Sequence, residues 1–258
     1  MKRFWFICFS GLLAFSSGAH AASPEIRLLT EQFSPLNEVH NGKTRGVAVE
    51  ILKAVYAHMG RPDPSGDIVA MPWSRAYAEA TSQPNVLLFS IIRTPEREGL
   101  FHWVGPIMAA NVALVGKDSL PADVDWASLP KAYRYGVLQD DFSEQQLIAK
   151  GLPRTSMLFW ASPQSGARML MRGRIDVWVY ERSSAFAALA QLGENLSDYQ
   201  VVHEFKCGDY YFAFSRGTDE GFMWAFQEAF EAVERSGERV SIVRKLVKSK
   251  ATVSAARP

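Results

Sequence analysis

Cysteine is scarce in this chain of 258 residues, which contains only Cys8 and Cys207. Cys8 lies in an N-terminal segment that we expect to be removed. The remaining chain would keep Cys207 alone and could form no intramolecular disulfide. Because no histidine stands near Cys207 in the sequence, we expect a packed, half-buried thiol rather than a nucleophile.

An excess of charge of one sign is also lacking, since 28 Lys and Arg face 27 Asp and Glu. Residues 1–21 contain Lys2 and Arg3 and no acidic residue, so their removal would leave 26 basic and 27 acidic side chains. A near-neutral surface does not neutralise phosphates, and this argues against a nucleic-acid partner.

Long hydrophobic runs are limited to the N-terminus. There the apolar stretch Phe4–Phe15 follows a positively charged start and precedes Ala19-His20-Ala21, which places small residues where a signal peptidase cleaves. Its 12 residues are too few to cross a hydrocarbon core of about 30 Å, which makes an uncleaved anchor the weaker alternative. We therefore predict a signal peptide, residues 1–21, and export of the chain.

The usual signatures of enzymes and metal sites are absent from the sequence. It contains no Gly-x-Gly-x-x-Gly, phosphate-binding loop or Gly-x-Ser-x-Gly motif. His40, His58, His102 and His203 are scattered, without the spacing of metal ligands. We therefore expect no metal and no cofactor, and we assign no catalytic residue.

Strand and helix patterns alternate along the rest of the chain. Apolar spacing predicts a helix over Gly46–Met59, and the continuous apolar run Val86–Ile92 predicts a strand buried on both faces. The pattern restarts with a strand at Tyr135–Leu138 and a capping box at Ser143–Gln146. This alternation predicts an α/β fold with a mostly parallel sheet, and its restart indicates two lobes.

A charged cluster, Arg93-Thr94-Pro95-Glu96-Arg97-Glu98, follows the predicted buried strand. Ligands of α/β sheets bind at the carboxyl ends of strands, where an arginine can hold a carboxylate with two hydrogen bonds. The alternative is a solvated helix start in which the glutamates neutralise their own arginines. The spacing alone leaves both interpretations open.

Six segments occur in an order that resembles a known family. They are Gly46-Val47-Ala48-Val49-Glu50-Ile51, Pro72-Trp73-Ser74-Arg75-Ala76, Arg93-Thr94-Pro95-Glu96-Arg97-Glu98, Phe101-His102-Trp103-Val104-Gly105-Pro106, Gly173-Arg174-Ile175-Asp176-Val177 and Phe212-Ala213-Phe214-Ser215-Arg216-Gly217. Their order is similar to that of the family 3 extracellular solute-binding proteins, the periplasmic amino-acid-binding components of ABC importers. The resemblance covers nearly the whole chain after residue 21.

The resemblance implies a type II periplasmic-binding fold. Residues 22–109 plus 207–258 would form lobe 1 and residues 110–206 would form lobe 2, with crossings near Ile107–Ala113 and His203–Gly208. A monomeric periplasmic protein would capture an amino acid, or a related amine or carboxylate, and deliver it to an ABC permease. Two alternatives on the same scaffold are a dehydratase-like enzyme that uses Glu181 as its acid–base group, and a sensing module for a membrane receptor.

The resemblance also implies a ligand pocket with a cationic, an acidic and an aromatic part. Arg97 would hold a carboxylate, while Glu31 and Glu181 would accept from an ammonium group. The remaining implied pocket residues are the strand-end residues Ser90 and Ile92 and the aromatic walls Phe33 and Trp73.

One segment departs from the family pattern. Relatives commonly have Ser-Gly or Thr-Gly after the first strand of lobe 2, where this chain has Gln139-Asp140-Asp141-Phe142-Ser143. Asp140 and Asp141 would repel a carboxylate unless they turn outward, and Phe142 would fill space that glycine leaves open. The departure favours a cationic or amine-bearing ligand. Arg93 is an alternative partner for one of the aspartates when the lobes close.

Overall fold

The computed structural model describes residues 25–121, 129 and 131–255, and the predicted signal peptide lies outside them. The strands are β1 (Arg27–Thr30), β2 (Glu38–His40), β3 (Lys43–Arg45), β4 (Ile68–Ala70), β5 (Val86–Ile92), β6 (Phe101–Lys117), β7 (Tyr135–Leu138), β8 (Met157–Trp160), β9 (Val177–Glu181) and β10 (Tyr199–Ser215). The helices are α1 (Val47–His58), α2 (Trp73–Ser82), α3 (Phe142–Ala149), α4 (Pro163–Met171), α5 (Arg182–Gln191), α6 (Glu220–Arg235) and α7 (Glu238–Ala255).

Eight strands form one sheet in the order β4-β1-β5-β10-β6-β9-β7-β8, and β2 and β3 form a separate hairpin. The strands β4, β1 and β5 are parallel to one another, as are β9, β7 and β8. We call these the first and the second trio. The predicted parallel pairing therefore holds within each trio.

Two antiparallel strands of 17 residues each, β6 and β10, join the trios. Residues Tyr210–Phe214 of β10 pair with β5. The pairing of β6 with β9 begins where Val112 lies opposite Glu181. Each long strand thus runs from one trio to the other. The sequence analysis predicted neither long strand as a whole.

Local sequence explains the predicted elements that the structure contains. All seven residues of β5 are buried, as the apolar run predicts. The helix predicted over Gly46–Met59 is α1, with Gly46 as its N-cap. Gly46 has φ +133°, and a Cβ there would lie 2.2 Å from the Leu36 carbonyl oxygen, so only glycine fits.

The capping box predicted at Ser143–Gln146 is wrong. The helix α3 begins at Phe142, and its N-cap is Asp141, whose carboxylate accepts from the Ser143 hydroxyl at 3.0 Å. An aspartate can cap a helix as well as a serine can, and here it stands two residues before the serine. The cap therefore turns the Asp141 carboxylate toward the start of α3.

Candidate ligand site

A cavity lies where strand ends of the two trios meet beside the long strands. Its empty space is about 340 Å³, including the part open to solvent. From the chain before β6 it is lined by Glu31, Phe33, Trp73, Ser90, Ile91 and Ile92, and from the rest by Val112, Asp141, Tyr180, Glu181 and Tyr210. Carboxyl ends of parallel strands are the usual ligand-binding edge of such sheets.

Six of the eight ligand-binding residues that the sequence analysis names line this cavity, namely Glu31, Phe33, Trp73, Ser90, Ile92 and Glu181. Arg97 and Phe142 do not line it. Phe142 is buried and packs near Phe205, with their ring centroids 6.4 Å apart. The sequence analysis missed Tyr180 and Tyr210, because aromatic residues within apolar strands are equally typical of a core.

Three acidic residues line the cavity, namely Glu31, Asp141 and Glu181. Glu31 follows β1 directly, and no described residue donates a hydrogen bond to its carboxylate. Glu181 ends β9 and caps α5, where it accepts from two backbone N–H groups at 3.1 and 2.7 Å. No lysine or arginine is among the lining residues.

The protein environment disfavours the ionised form of two of these groups. Burial, and then the charge of Asp141, raise the pKa of Glu31 well above its ordinary value. Burial also raises the pKa of Glu181, although the N–H groups at the start of α5 oppose that shift. A bound cation would compensate both carboxylates.

Aromatic rings form the other wall. The Phe33 ring lies 5.6 Å from that of Tyr180 and 5.3 Å from that of Tyr210, measured between centroids. Trp73 stacks on Tyr77 at 5.6 Å. Ring faces beside carboxylates suit an ammonium or guanidinium group, because both attract positive charge.

Arg97 lies behind the lining and is 1% exposed. Its Nη1 donates to the carbonyl of Ile92 at 3.2 Å and its Nη2 to the carbonyl of Asp140 at 2.9 Å. Its Cζ lies 5.5 and 5.2 Å from the ring centroids of Trp73 and Tyr77. Backbone carbonyls and rings thus surround this guanidinium, and no carboxylate of the described residues pairs with it.

Arg93 differs from Arg97 in that it pairs with a carboxylate. It donates to Glu98 from Nε at 2.7 Å and from Nη2 at 2.5 Å, and it lies over the Trp103 and Tyr211 rings. The alternative of arginines neutralised by their own glutamates therefore holds for Arg93, which pairs with neither Asp140 nor Asp141.

Cys207 is half-buried, and its Sγ lies 3.3 Å from the Ala110 carbonyl oxygen. Burial raises the pKa of this thiol to about 12, so it is protonated at neutral pH. This agrees with the packed thiol that its sequence context predicts.

Two further searches of the described residues concern metals and membranes. No group of three or more His, Cys, Asp or Glu side chains in that part of the chain could hold a metal ion. Nor does any helix there combine the length and apolar character that crossing a bilayer requires.

The family model of the bacterial extracellular solute-binding proteins, family 3, matches residues 26–249. The chain belongs to this family. Among curated proteins, none matches it. This family membership confirms the resemblance that the order of the six sequence segments indicates.

Solved structures similar to this family 3 protein include several named for basic amino acids. An ancestral arginine-binding protein bound to arginine has a TM-score of 0.72 and 21% identity, covering 86% of this chain and 97% of that one. The arginine-, lysine-, histidine-binding protein ArtJ from Geobacillus stearothermophilus has a TM-score of 0.72 and 18% identity, covering 86% of this chain and 95% of that one. A histidine kinase sensor domain with similarity to periplasmic binding proteins has a TM-score of 0.75 and 18% identity, covering 87% of this chain and 96% of that one.

At such low identities the likeness establishes the fold alone. It is the type II periplasmic-binding fold, with two α/β lobes joined by a two-segment hinge, as the sequence predicts. The matched family consists of binding proteins, and the structures compared are binding proteins or a sensor domain.

Proposed function

We propose that this protein binds a small amine-bearing ligand, an amino acid or a related amine, between its lobes and delivers it to an ABC permease. The observation that carries the proposal is a cavity whose lining contains three acidic residues and no lysine or arginine. In this proposal residues 1–21 are removed on export to the periplasm. The mature protein is a monomer without a cofactor or a catalytic role.

The proposed lobes are residues 22–109 plus 207–258, and residues 110–206. Several contacts between these two parts support a closed arrangement around the cavity. Arg97 donates to the Asp140 carbonyl, the Ser184 hydroxyl donates to the Ser34 carbonyl, and Phe33 packs against Tyr180. Closure of this kind would exclude water from the ligand and strengthen its ionic contacts.

A sensing role is the second candidate, because a histidine kinase sensor domain is among the similar structures. The same pocket would then present its ligand to a membrane receptor instead of a permease. Affinity pull-down from solubilised membranes, with and without ligand, separates the two roles through the identity of the captured partner.

A thermal-shift screen against amino acids, amines, dicarboxylates and aromatic acids tests the proposal directly. A ligand at 100 times its Kd adds about 2.7 kcal/mol to the free energy of unfolding. We expect stabilisation by an amine-bearing compound that is recovered unchanged. Stabilisation by dicarboxylates alone would contradict the proposal, and a chemically altered ligand would favour the dehydratase-like alternative.

A further inference from the structure

We infer that the cavity prefers an organic cation without a carboxylate, such as an alkyl amine or a guanidine, over the corresponding amino acid. This inference rests on the proposed function and specifies its ligand class. Four features support it: the direction of the serine hydroxyl protons, the occupation of Arg97, the buried hydroxyl of Tyr180 and the aromatic wall.

Two serine hydroxyl groups, that of Ser90 in the cavity lining and that of Ser184 outside it, have their protons directed elsewhere. The Ser90 Oγ donates to the Asn37 Oδ1 at 3.0 Å, and the Ser184 Oγ donates to the carbonyl of Ser34. What each oxygen still offers is a lone pair. Together with the three acidic residues, Ser90 therefore offers the cavity acceptors, which a cation can use and a carboxylate cannot.

Arg97, the residue that the family resemblance assigns to a carboxylate, is already occupied. Both of its Nη atoms donate to backbone carbonyls, and the side chain does not line the cavity. Its Nε and the Nε1 of Trp73 are buried without acceptors. To pair with Arg97, a ligand carboxylate would have to reach behind the residues that line the cavity and lie close to the cavity carboxylates.

Tyr180 supplies an observation independent of the acidic groups. It is 3% exposed and lines the cavity, and its buried hydroxyl makes no hydrogen bond of normal geometry, although the neighbouring Ser184 hydroxyl opposes the rise of its pKa. Burial, and then the charges of Glu31, Asp141 and Glu181, raise the pKa of this phenol well above its ordinary value. The phenol therefore stays protonated beside three carboxylates, and its oxygen can accept from a ligand N–H group.

The cavity also distinguishes an organic cation from a metal ion. The acidic groups are too dispersed to form a metal cluster within the described residues. Phe33, Trp73, Tyr180 and Tyr210 add ring faces and edges to the lining. Apolar walls with separated acceptors match a carbon chain that ends in ammonium or guanidinium groups.

Isothermal titration calorimetry with matched pairs tests this preference. The pairs are agmatine and L-arginine, cadaverine and L-lysine, and histamine and L-histidine, whose members differ only by the carboxylate. We expect at least one amine to bind at least tenfold more tightly than its amino acid. Equal or tighter binding of the amino acid in every pair that binds overturns this inference and leaves the proposed function standing. The absence of binding by all six compounds overturns this inference, and the thermal-shift screen then decides the proposed function.

Glu31→Gln is the matching variant, because this carboxylate makes no hydrogen bond that the fold needs. We expect it to weaken the amine at least tenfold. Glu228→Gln, exposed on α6 and outside the cavity lining, is the control and should leave the affinity unchanged. Thermal unfolding of both variants verifies folding, and full amine affinity in a folded Glu31→Gln protein overturns the inference.

Discussion

Single residues around the cavity hold charges that no ion pair of the described chain balances. Glu31 has no donor, and Arg97 is surrounded by carbonyls and rings. Buried charges of this kind oppose folding unless hydrogen bonds or a ligand compensate them. The presence of Glu31 is therefore better explained by binding than by stability, whereas the hydrogen bonds of Arg97 to two carbonyls compensate its charge.

At this scale we predict that Arg97→Ala destabilises the protein by about 2–4 kcal/mol. The change leaves two carbonyls without their donor and creates space beside two aromatic rings. Urea unfolding measures the loss. Arg216→Ala is the control, since this exposed arginine also donates to a carbonyl, that of Gly99, and its loss should cost less than about 1 kcal/mol. Equal effects of both changes would refute a supporting role for Arg97 in closure.

Helix starts and strand ends position the acidic side chains. Glu181 ends β9 and caps α5, while Asp141 caps α3, so two of the three cavity carboxylates have a structural role as well. A carboxylate at a helix start is stabilised by the N–H groups and the helix dipole. These helices therefore fix the orientation of acidic groups that could otherwise turn to solvent.

Glu181 variants separate these two roles. Glu181→Gln keeps an oxygen that can accept from the start of α5, so we expect little change in stability and at least tenfold weaker binding of an amine. Glu181→Ala should in addition lose about 1 kcal/mol of stability. Thermal unfolding combined with titration calorimetry measures both effects.

Asp219→Ala provides the control for capping alone. Asp219 caps α6, where it accepts from the Phe222 N–H at 2.7 Å, and it lies outside the cavity lining. Its loss should lower stability by a similar amount and leave affinity unchanged. Unaltered ligand binding in Glu181→Gln would show that this carboxylate only caps α5.

For the whole molecule, binding of a cation and folding should depend on pH with opposite signs. The pKa values of Glu31 and Glu181 are raised, so protons compete with a cationic ligand as pH falls toward and below these raised values. We expect amine affinity to decrease from pH 8 to pH 5, as measured by titration calorimetry. An affinity that stays constant over this range would contradict the role of both groups.

The unliganded protein should respond in the reverse direction. A carboxyl group with a raised pKa in the folded state contributes stability below its unfolded-state pKa, and that contribution is lost as pH rises through the folded-state value. Glu31→Gln removes this loss, so the variant should be more stable than the natural protein at pH 8 but not at pH 4. Urea unfolding at the two pH values measures the difference.

Much of the fold could be predicted because its elements follow from local patterns. The apolar run of β5 and the spacing of α1 each depend on residues a few positions apart. Such patterns report which face of an element is buried. The start of α3 was predicted wrongly, because both an aspartate and a serine in the same segment can cap a helix.

The pattern of strands and helices and the order of the motifs by themselves predicted the fold class and the family, and the family resemblance implied six of the eleven residues that line the cavity. Only the tertiary structure decided how the groups in the cavity are used. Arg97 meets the Asp140 carbonyl 43 positions away, and Ser184 meets Ser34 across 150 positions. Such contacts depend on how the two trios face each other, and no local pattern encodes that geometry. The packing of the chain thus determines which donors are occupied and which acceptors remain for a ligand.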